Sequence, residues 1–65
     1  MRIVVNDESV EIDDGASVTD LLARLGLSEK GIAVAVDWAV VPRSQWCRGL
    51  PDGARVDVVT AVQGG

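Results

Sequence analysis

The chain has 65 residues, a hydrophobic content of 48% and a net charge of −4 from ten acidic and six basic side chains. This length predicts one small domain, residues 1–65, with a thin core, and the hydrophobic content favours folding over disorder. The acidic balance argues against a nucleic-acid partner and against an anionic membrane surface, since both need a basic face. The single cysteine and the lack of a signal-peptide core predict a reducing, cytoplasmic location.

The start of the chain predicts a β-hairpin. Residues 2–6 are a β-branched run, and residues 9–13 alternate apolar and polar side chains. Asp7 and Glu8 supply a polar turn between these two segments.

A short helix is predicted at residues 17–25. Ser17 can accept hydrogen bonds from the first-turn amides, Asp20 completes a box-like cap, and Gly26 suits the left-handed position after the last turn. The apolar residues follow helical spacing on one face: Val18, Leu21, Leu22 and Leu25.

The rest of the chain predicts three short strands, at residues 32–36, 39–41 and 55–62. Spacing requires a turn at Asp37 and Trp38, although Trp tolerates a positive φ badly. Residues 42–50 predict a loop with one helical turn. The whole order indicates an α+β roll, in which one helix packs across one face of a mixed sheet of four to five strands.

The chain offers few groups for chemistry. It has no His, no Cys/His cluster with metal spacing and no glycine-rich phosphate loop. We therefore expect no catalytic site and no metal site of its own. Cys47 is better explained as a small, partly buried hydrophobe than as a reactive thiol. Trp46 is predicted to pack inside, whereas Trp38 fits packing and an interface equally well.

The sheet face opposite the helix is predicted to be apolar and low in relief. Alternation along the strands directs Val56 and Val58 inward, and the residues between them outward. A contiguous apolar patch on a free sheet face is typical of a partner surface. The candidate surface residues are Val4, Ala33, Ala35, Val59 and Ala61.

The end of the sequence suggests a use for the last four residues, 62–65, as a flexible tail. Val62 and Gln63 leave the sheet, and two residues without Cβ then form a thin thread that can enter a narrow channel of another protein. The Gly65 carboxylate is a poor electrophile and must be activated, for example as an acyl phosphate anhydride. The partner must supply the nucleotide and metal for this step. A frayed terminus is the simpler alternative for Gly64 and Gly65.

The chain resembles the ubiquitin-like β-grasp proteins and, more narrowly, the sulfur-carrier proteins of thiamine thiazole biosynthesis. Three stretches carry the resemblance: DGASVTDLLARLGL (14–27), GIAVAVDWAVVPRSQW (31–46) and DGARVDVVTAVQGG (52–65). The most specific pieces are VVPRSQW and TAVQGG. One departure is clear, because members often have Asn-Gly where Asp37 and Trp38 stand here.

The resemblance implies a carrier rather than an enzyme. An E1-like activating enzyme that uses ATP and Mg adenylates Gly65, a persulfide donor supplies sulfur, and the resulting thiocarboxylate serves thiazole synthase. Gly64, Gln63 and Val62 would thread into the partner. We expect no bound cofactor, and a monomer when the chain is free.

Three other functions fit the same residues. The small subunit of molybdopterin synthase has the same fold and tail, but is usually longer and would copurify with a larger catalytic chain. A ubiquitin-like modifier would form isopeptide-linked ladders in cells. A plain β-grasp binding module would have an incidental tail.

Overall fold

A computed structural model of the protein describes residues 1–60. In that range, five strands form one mixed sheet, and a single α-helix lies on one of its faces. The elements are β1 (Arg2–Val5), β2 (Glu8–Glu11), α1 (Val18–Leu25), β3 (Ile32–Val36), β4 (Ala39–Val40) and β5 (Arg55–Thr60), with a 3₁₀ turn at Arg43–Gln45. The strand order across the sheet is β2-β1-β5-β3-β4. This architecture confirms the predicted α+β roll.

The centre of the sheet joins the two ends of the described chain. β1 and β5 pair in parallel, whereas every other neighbouring pair is antiparallel. β5 therefore lies between β1 and β3, where it is held on both sides. The last two residues of the predicted final strand, 61 and 62, lie outside the described residues.

The first hairpin turns one residue earlier than the sequence predicts. Asn6 and Asp7 occupy the turn, with φ of 48° and 70°, and Glu8 already belongs to β2. A two-residue hairpin turn of this kind needs a positive φ at both positions. Asn and Asp tolerate that conformation better than Glu does, which explains the shift.

Helix α1 has the predicted caps at both ends. The Asp20 amide donates to Ser17 Oγ at 3.2 Å, and the Ser17 amide donates to Asp20 Oδ2 at 2.9 Å, which closes a capping box. After the helix, Gly26 adopts a φ of 72°, and the Leu27 amide donates to the Leu22 carbonyl at 2.9 Å. These bonds satisfy backbone groups that the helix termini leave open.

The core lies between α1 and one face of the sheet. Its most deeply buried residues come from the helix and from three strands: Ile3, Val18, Leu21, Leu22, Val34 and Val56. In the described part of the chain, no helix covers the opposite face of the sheet. The fold thus leaves one sheet face accessible.

The loop after β4 also contributes to the core. Trp46 is buried, and its indole Nε1 donates to the Val41 carbonyl at 3.0 Å, which confirms the predicted packing role. Cys47 is exposed, so the prediction that it is partly buried is wrong. The 3₁₀ turn directs Trp46 inward, and the next side chain then lies on the outside.

The amino group of Met1 is tied to the end of the first hairpin. It donates to the Ile12 carbonyl at 2.6 Å and forms an ion pair with Asp14 at 3.0 Å. The hydrogen bond to Asp14 raises the pKa of this amino group, and the Glu11 carboxylate at 3.8 Å acts in the same direction.

Candidate functional site

The sheet face away from α1 carries the described residues that were predicted to contact a partner. Strand register pairs Ala33 with Val59 and places Ala35 opposite Asp57. On the other side of β5, Val4 lies opposite Arg55. Val4, Ala33, Ala35 and Val59 alternate with core residues along their strands, so the pleat directs them to the outer face, where alternation predicted them. Arg55 and Asp57 lie on the same face.

Four apolar side chains form a contiguous group on this face. Ala33 and Val59 are direct cross-strand neighbours, and Ala35 lies opposite Val40 on the edge strand β4. The side chains of Val40 and Val59 are 75% and 59% exposed. Sequence reasoning missed Val40, although the alternation across the β3–β4 hairpin would have placed it here. We call Ala33, Ala35, Val40 and Val59 the apolar patch.

Val4 lies on the same face but apart from the apolar patch. Its strand, β1, is separated from β3 by β5, whose outward side chains at this level are Arg55 and Asp57. Val4 itself is half-buried. The structure therefore does not join Val4 to the apolar patch, because a charged pair occupies the centre of the face.

Arg55 is the centre of that charged group. Its Nη2 lies 2.8 Å from Asp7 Oδ1, and its Nε lies 3.5 Å from Asp57 Oδ2. Its guanidinium carbon is also 4.3 Å from the centre of the Trp38 ring, which is a cation–π distance. Sequence reasoning missed this cluster because Asp7 and Trp38 belong to two turns that are distant in the chain.

Trp38 lies in the turn between β3 and β4, where spacing predicted a turn. Asp37 and Trp38 have φ of 49° and 72°. The Asp37 amide donates to the Arg55 carbonyl at 2.7 Å, and Asp37 Oδ1 accepts from the Arg55 amide at 3.0 Å. Trp38 is 76% exposed, so it belongs to the accessible surface and not to the core.

The remaining predicted site residues are at the end of the sequence. Ala61, Val62, Gln63, Gly64 and Gly65 lie outside the described residues. Their functional roles stay predictions. The structure does place Thr60, the residue before them, at the end of β5 and opposite Ile32.

A model of the ThiS family matches residues 1–65, which is the whole chain. The chain belongs to the ThiS family.

ThiS relatives match this chain from end to end. It is 32% identical over 66 residues to the sulfur carrier protein ThiS of Escherichia coli (strain K12), with all of both chains covered. The crystal structure of a thiamine biosynthesis protein (ThiS) from Geobacter metallireducens superposes with a TM-score of 0.81, at 25% identity and full coverage of both chains. A solution structure of a thiamine biosynthesis protein from that organism gives a TM-score of 0.76, also at 25% identity, with 88% of it covered. The chain is thus a homologue of a sulfur carrier protein, with the ubiquitin-like β-grasp fold.

One further relative is much longer than this ThiS-family chain. The chain is 29% identical over 66 residues to a protein named thiazole synthase from Paramagnetospirillum magneticum (strain ATCC 700264 / AMB-1). The match covers all of this chain but 20% of that protein. A ThiS-like segment therefore occurs within a longer chain of that name.

Residues 1–60 contain neither a metal-binding cluster nor a membrane-spanning helix. No group of three or more His, Cys, Asp or Glu side chains in this range is placed to hold a metal ion. The one helix described there is too short to cross a bilayer.

Proposed function

We propose that this chain carries sulfur as a thiocarboxylate on Gly65 and delivers it for thiazole formation in thiamine biosynthesis. The observation that carries this proposal is the end-to-end match to a sulfur carrier protein by a sequence that finishes in Gly64-Gly65. The chain acts as a protein co-substrate and has no active site of its own. We place it in the cytoplasm, as a monomer when free.

The chemistry begins with activation of the Gly65 carboxylate. An E1-like enzyme binds ATP with Mg, and a carboxylate oxygen attacks the α-phosphorus, which forms an acyl adenylate and releases pyrophosphate. This mixed anhydride turns a poor electrophile into a reactive one. The chain contributes only the carboxylate, so the activating enzyme stabilises the developing charge.

Sulfur transfer follows at the same carbon atom. The terminal sulfur of a persulfide attacks the acyl adenylate, and AMP leaves. A thiol then reduces the acyl disulfide, which leaves the thiocarboxylate on Gly65 and a disulfide on the donor side. Thiazole synthase takes the sulfur from this thiocarboxylate.

The outer sheet face supports a docking role in these steps. The apolar patch includes Val59, which precedes Gly65 by six residues, a span of at most about 21 Å for an extended chain. A partner that binds this patch therefore has the Gly65 carboxylate within about 21 Å of Val59. Ala61 extends the predicted contact along the same strand direction, and Val62, Gln63 and Gly64 form the segment that threads into the partner channel.

Thiazole synthase as the receiving partner has independent support. The Paramagnetospirillum magneticum protein of that name includes a segment similar to the whole of this chain. A carrier and its acceptor benefit from being joined, because linkage raises the effective concentration of one for the other. We infer the same pairing here between separate chains.

Intact-mass measurement tests the proposal. The chain is incubated with the activating enzyme of its own organism, ATP, Mg and a persulfide donor. We expect a mass gain that equals the exchange of one oxygen for one sulfur, located at Gly65 by fragmentation. Deletion of Gly65, or Gly64→Leu, should abolish the gain without unfolding the domain.

A matched control introduces a leucine elsewhere in the chain. Ala23→Leu places a leucine on the exposed surface of α1, and this variant should react like the wild type. Loss of the mass gain in Ala23→Leu, or its retention after Gly65 deletion, would contradict the proposal. Isopeptide-linked ladders in cells would instead indicate a protein modifier, and a stable complex with a larger catalytic chain would indicate a molybdopterin synthase subunit.

A further inference from the structure

The C-terminal part of β5 has no backbone neighbour on the β1 side after Val56 in the described part of the chain. β1 pairs with the start of β5, at Val4–Arg55 and Val5–Val56, and the Asn6 amide donates to the Val56 carbonyl at 3.0 Å. The chain then turns back into β2, because Asn6 has a φ of 48°. On the other side, β3 continues alongside β5 as far as Thr60.

The side chain of Asn6 continues the hydrogen bonding along β5 after the backbone of Asn6 turns away. Asn6 Oδ1 accepts from the Val58 amide at 2.8 Å, and Asn6 Nδ2 donates to the Val58 carbonyl at 3.1 Å. A carboxamide has the same donor and acceptor as a peptide group, so it pairs with both backbone groups of one strand residue. In the described part of the chain, Val58 is the last residue of β5 that has a partner on the β1 side.

Few residue types can both occupy the turn at position 6 and bond to the Val58 backbone. Asn tolerates the left-handed backbone that the hairpin turn requires, and it reaches β5 with both a donor and an acceptor. Asp would keep the acceptor but lose the donor, and Gly would keep the backbone conformation but lose both bonds. The Asn6 contacts join residues 52 positions apart, so they connect the first turn to the strand that precedes the C-terminal residues.

We propose that Asn6 is a positioning residue for the Gly65 carboxylate. It acts by holding β5 at Val58, which we call the root of the C-terminal segment. This inference rests on the proposed function. The apolar patch binds the partner beside Val59, and the reacting carboxylate lies seven residues beyond Val58. Without the Asn6 bonds, β5 is paired on both sides only to Val56. The span between the last fully paired residue and Gly65 then grows by two residues, which lowers the fraction of bound carriers with the carboxylate in place.

Single-turnover adenylation separates positioning from binding. For Asn6→Gly we expect the rate of Gly65 adenylation at saturating activating enzyme to fall about tenfold, because two hydrogen bonds at the root are lost. The Kd of the carrier for the activating enzyme should stay within about twofold of wild type, since the apolar patch is unchanged. Asn6→Asp, which keeps the acceptor, should give an intermediate loss of about threefold.

The other residue of the same turn supplies a matched control. Asp7→Gly also keeps a left-handed turn, at a φ of 70°, but Asp7 contacts the Arg55 side chain and not the β5 backbone. We expect Asp7→Gly to lower the adenylation rate less than Asn6→Gly does, because both Asn6 bonds to Val58 remain. Amide hydrogen exchange at Val58 should accelerate about tenfold in Asn6→Gly and should change little in Asp7→Gly.

Each result decides a different point. An unchanged adenylation rate in Asn6→Gly overturns the inference, as does an equal loss in Asp7→Gly. A rise in Kd that accounts for the whole effect also overturns it, because Asn6 would then be merely structural. If the wild-type chain shows no ATP-dependent change at Gly65, the proposed function fails and the inference fails with it.

Discussion

The two hairpin turns have nearly the same backbone but very different side chains. Asn6 and Asp7 have φ of 48° and 70°, and Asp37 and Trp38 have φ of 49° and 72°. The first residue of each turn bonds to the backbone of β5, at Val58 in one case and at Arg55 in the other. The turns thus hold the start and the middle of the same central strand.

The second residues of the two turns both contact the Arg55 side chain. Asp7 forms an ion pair with the Arg55 guanidinium, and Trp38 stacks against it. The difference between them is conformational cost, because Asp tolerates a left-handed backbone and Trp does not. The first turn is therefore close to an ideal local sequence, whereas the second keeps an exposed Trp at a position that favours Gly. An unfavourable local choice on an accessible face is typical of a residue retained for contact with a partner.

The largest effect should come from the first residue of the first turn. Asn6→Ala removes both bonds to Val58 and leaves a Cβ residue in a left-handed conformation, so we expect a loss of about 2–3 kcal/mol in the free energy of unfolding. Urea denaturation measures it. Asn6→Gly should lose only about 1–2 kcal/mol, because it avoids the backbone cost. Equal losses in the two variants would show that the backbone conformation contributes nothing.

Removal of the side chain shared by both turns should have the next largest effect. Arg55→Ala loses the pair with Asp7 and the stack with Trp38, and we expect a loss of about 1–1.5 kcal/mol, since the group is partly exposed. Arg55→Lys keeps the charge but not the planar stack, so it should lose about half as much. If Lys restores full stability in urea denaturation, the stack on Trp38 is not stabilising.

In the second turn, we expect Trp38→Gly to stabilise the protein. A residue with a Cβ incurs a cost of about 1–2 kcal/mol in the left-handed conformation, and Trp38→Gly removes this cost. The substitution also loses a stack of about 0.5–1 kcal/mol, so we expect a net gain of about 0.5 kcal/mol in the free energy of unfolding. Trp38→Ala keeps the backbone cost and loses the stack, so it should be less stable than wild type. Thermal unfolding distinguishes the signs. A lower Tm for Trp38→Gly than for wild type would contradict the strained-turn interpretation.

The smallest effect concerns the ion pair of the first turn. Asp7→Asn keeps a residue that accepts a positive φ and removes one charge from the pair with Arg55, so we expect a loss of about 0.3–0.5 kcal/mol at low salt. High salt should remove most of this difference, because Asp7 is largely exposed to solvent and Arg55 is partly exposed. Denaturation at low and at high ionic strength checks it, and a loss that is independent of salt would show a cause other than charge.

Sequence reasoning was most accurate where the signal was local. The helix and its caps at Ser17 and Gly26 follow from residues within one or two turns of each other, and the structure confirms them. The position of the Asp37–Trp38 turn followed from strand spacing alone. The first turn lies one residue earlier than the sequence predicts. The β-branched pattern places Asn6 in the strand, although its tolerance of positive φ makes it the better turn residue.

The candidate site was harder to predict, because its residues come from separate parts of the chain. Alternation correctly placed Ala33, Ala35 and Val59 on the outer face. It did not reveal that Arg55 and Asp57 separate Val4 from the apolar patch, since this depends on β5 lying between β1 and β3. Strand order is a tertiary property that periodicity along one strand does not contain.

The sequence by itself determined the fold class, the caps, the apolar faces and the Gly64-Gly65 ending from which the carrier function is proposed. These features depend on side chains near one another in the chain and on residue types. Only the tertiary structure decided that Asn6 reaches Val58 and that both hairpin turns converge on Arg55. The physical reason is that a central parallel strand pair brings the two ends of the described chain together, so contacts over about 50 residues depend on folding and not on local pattern.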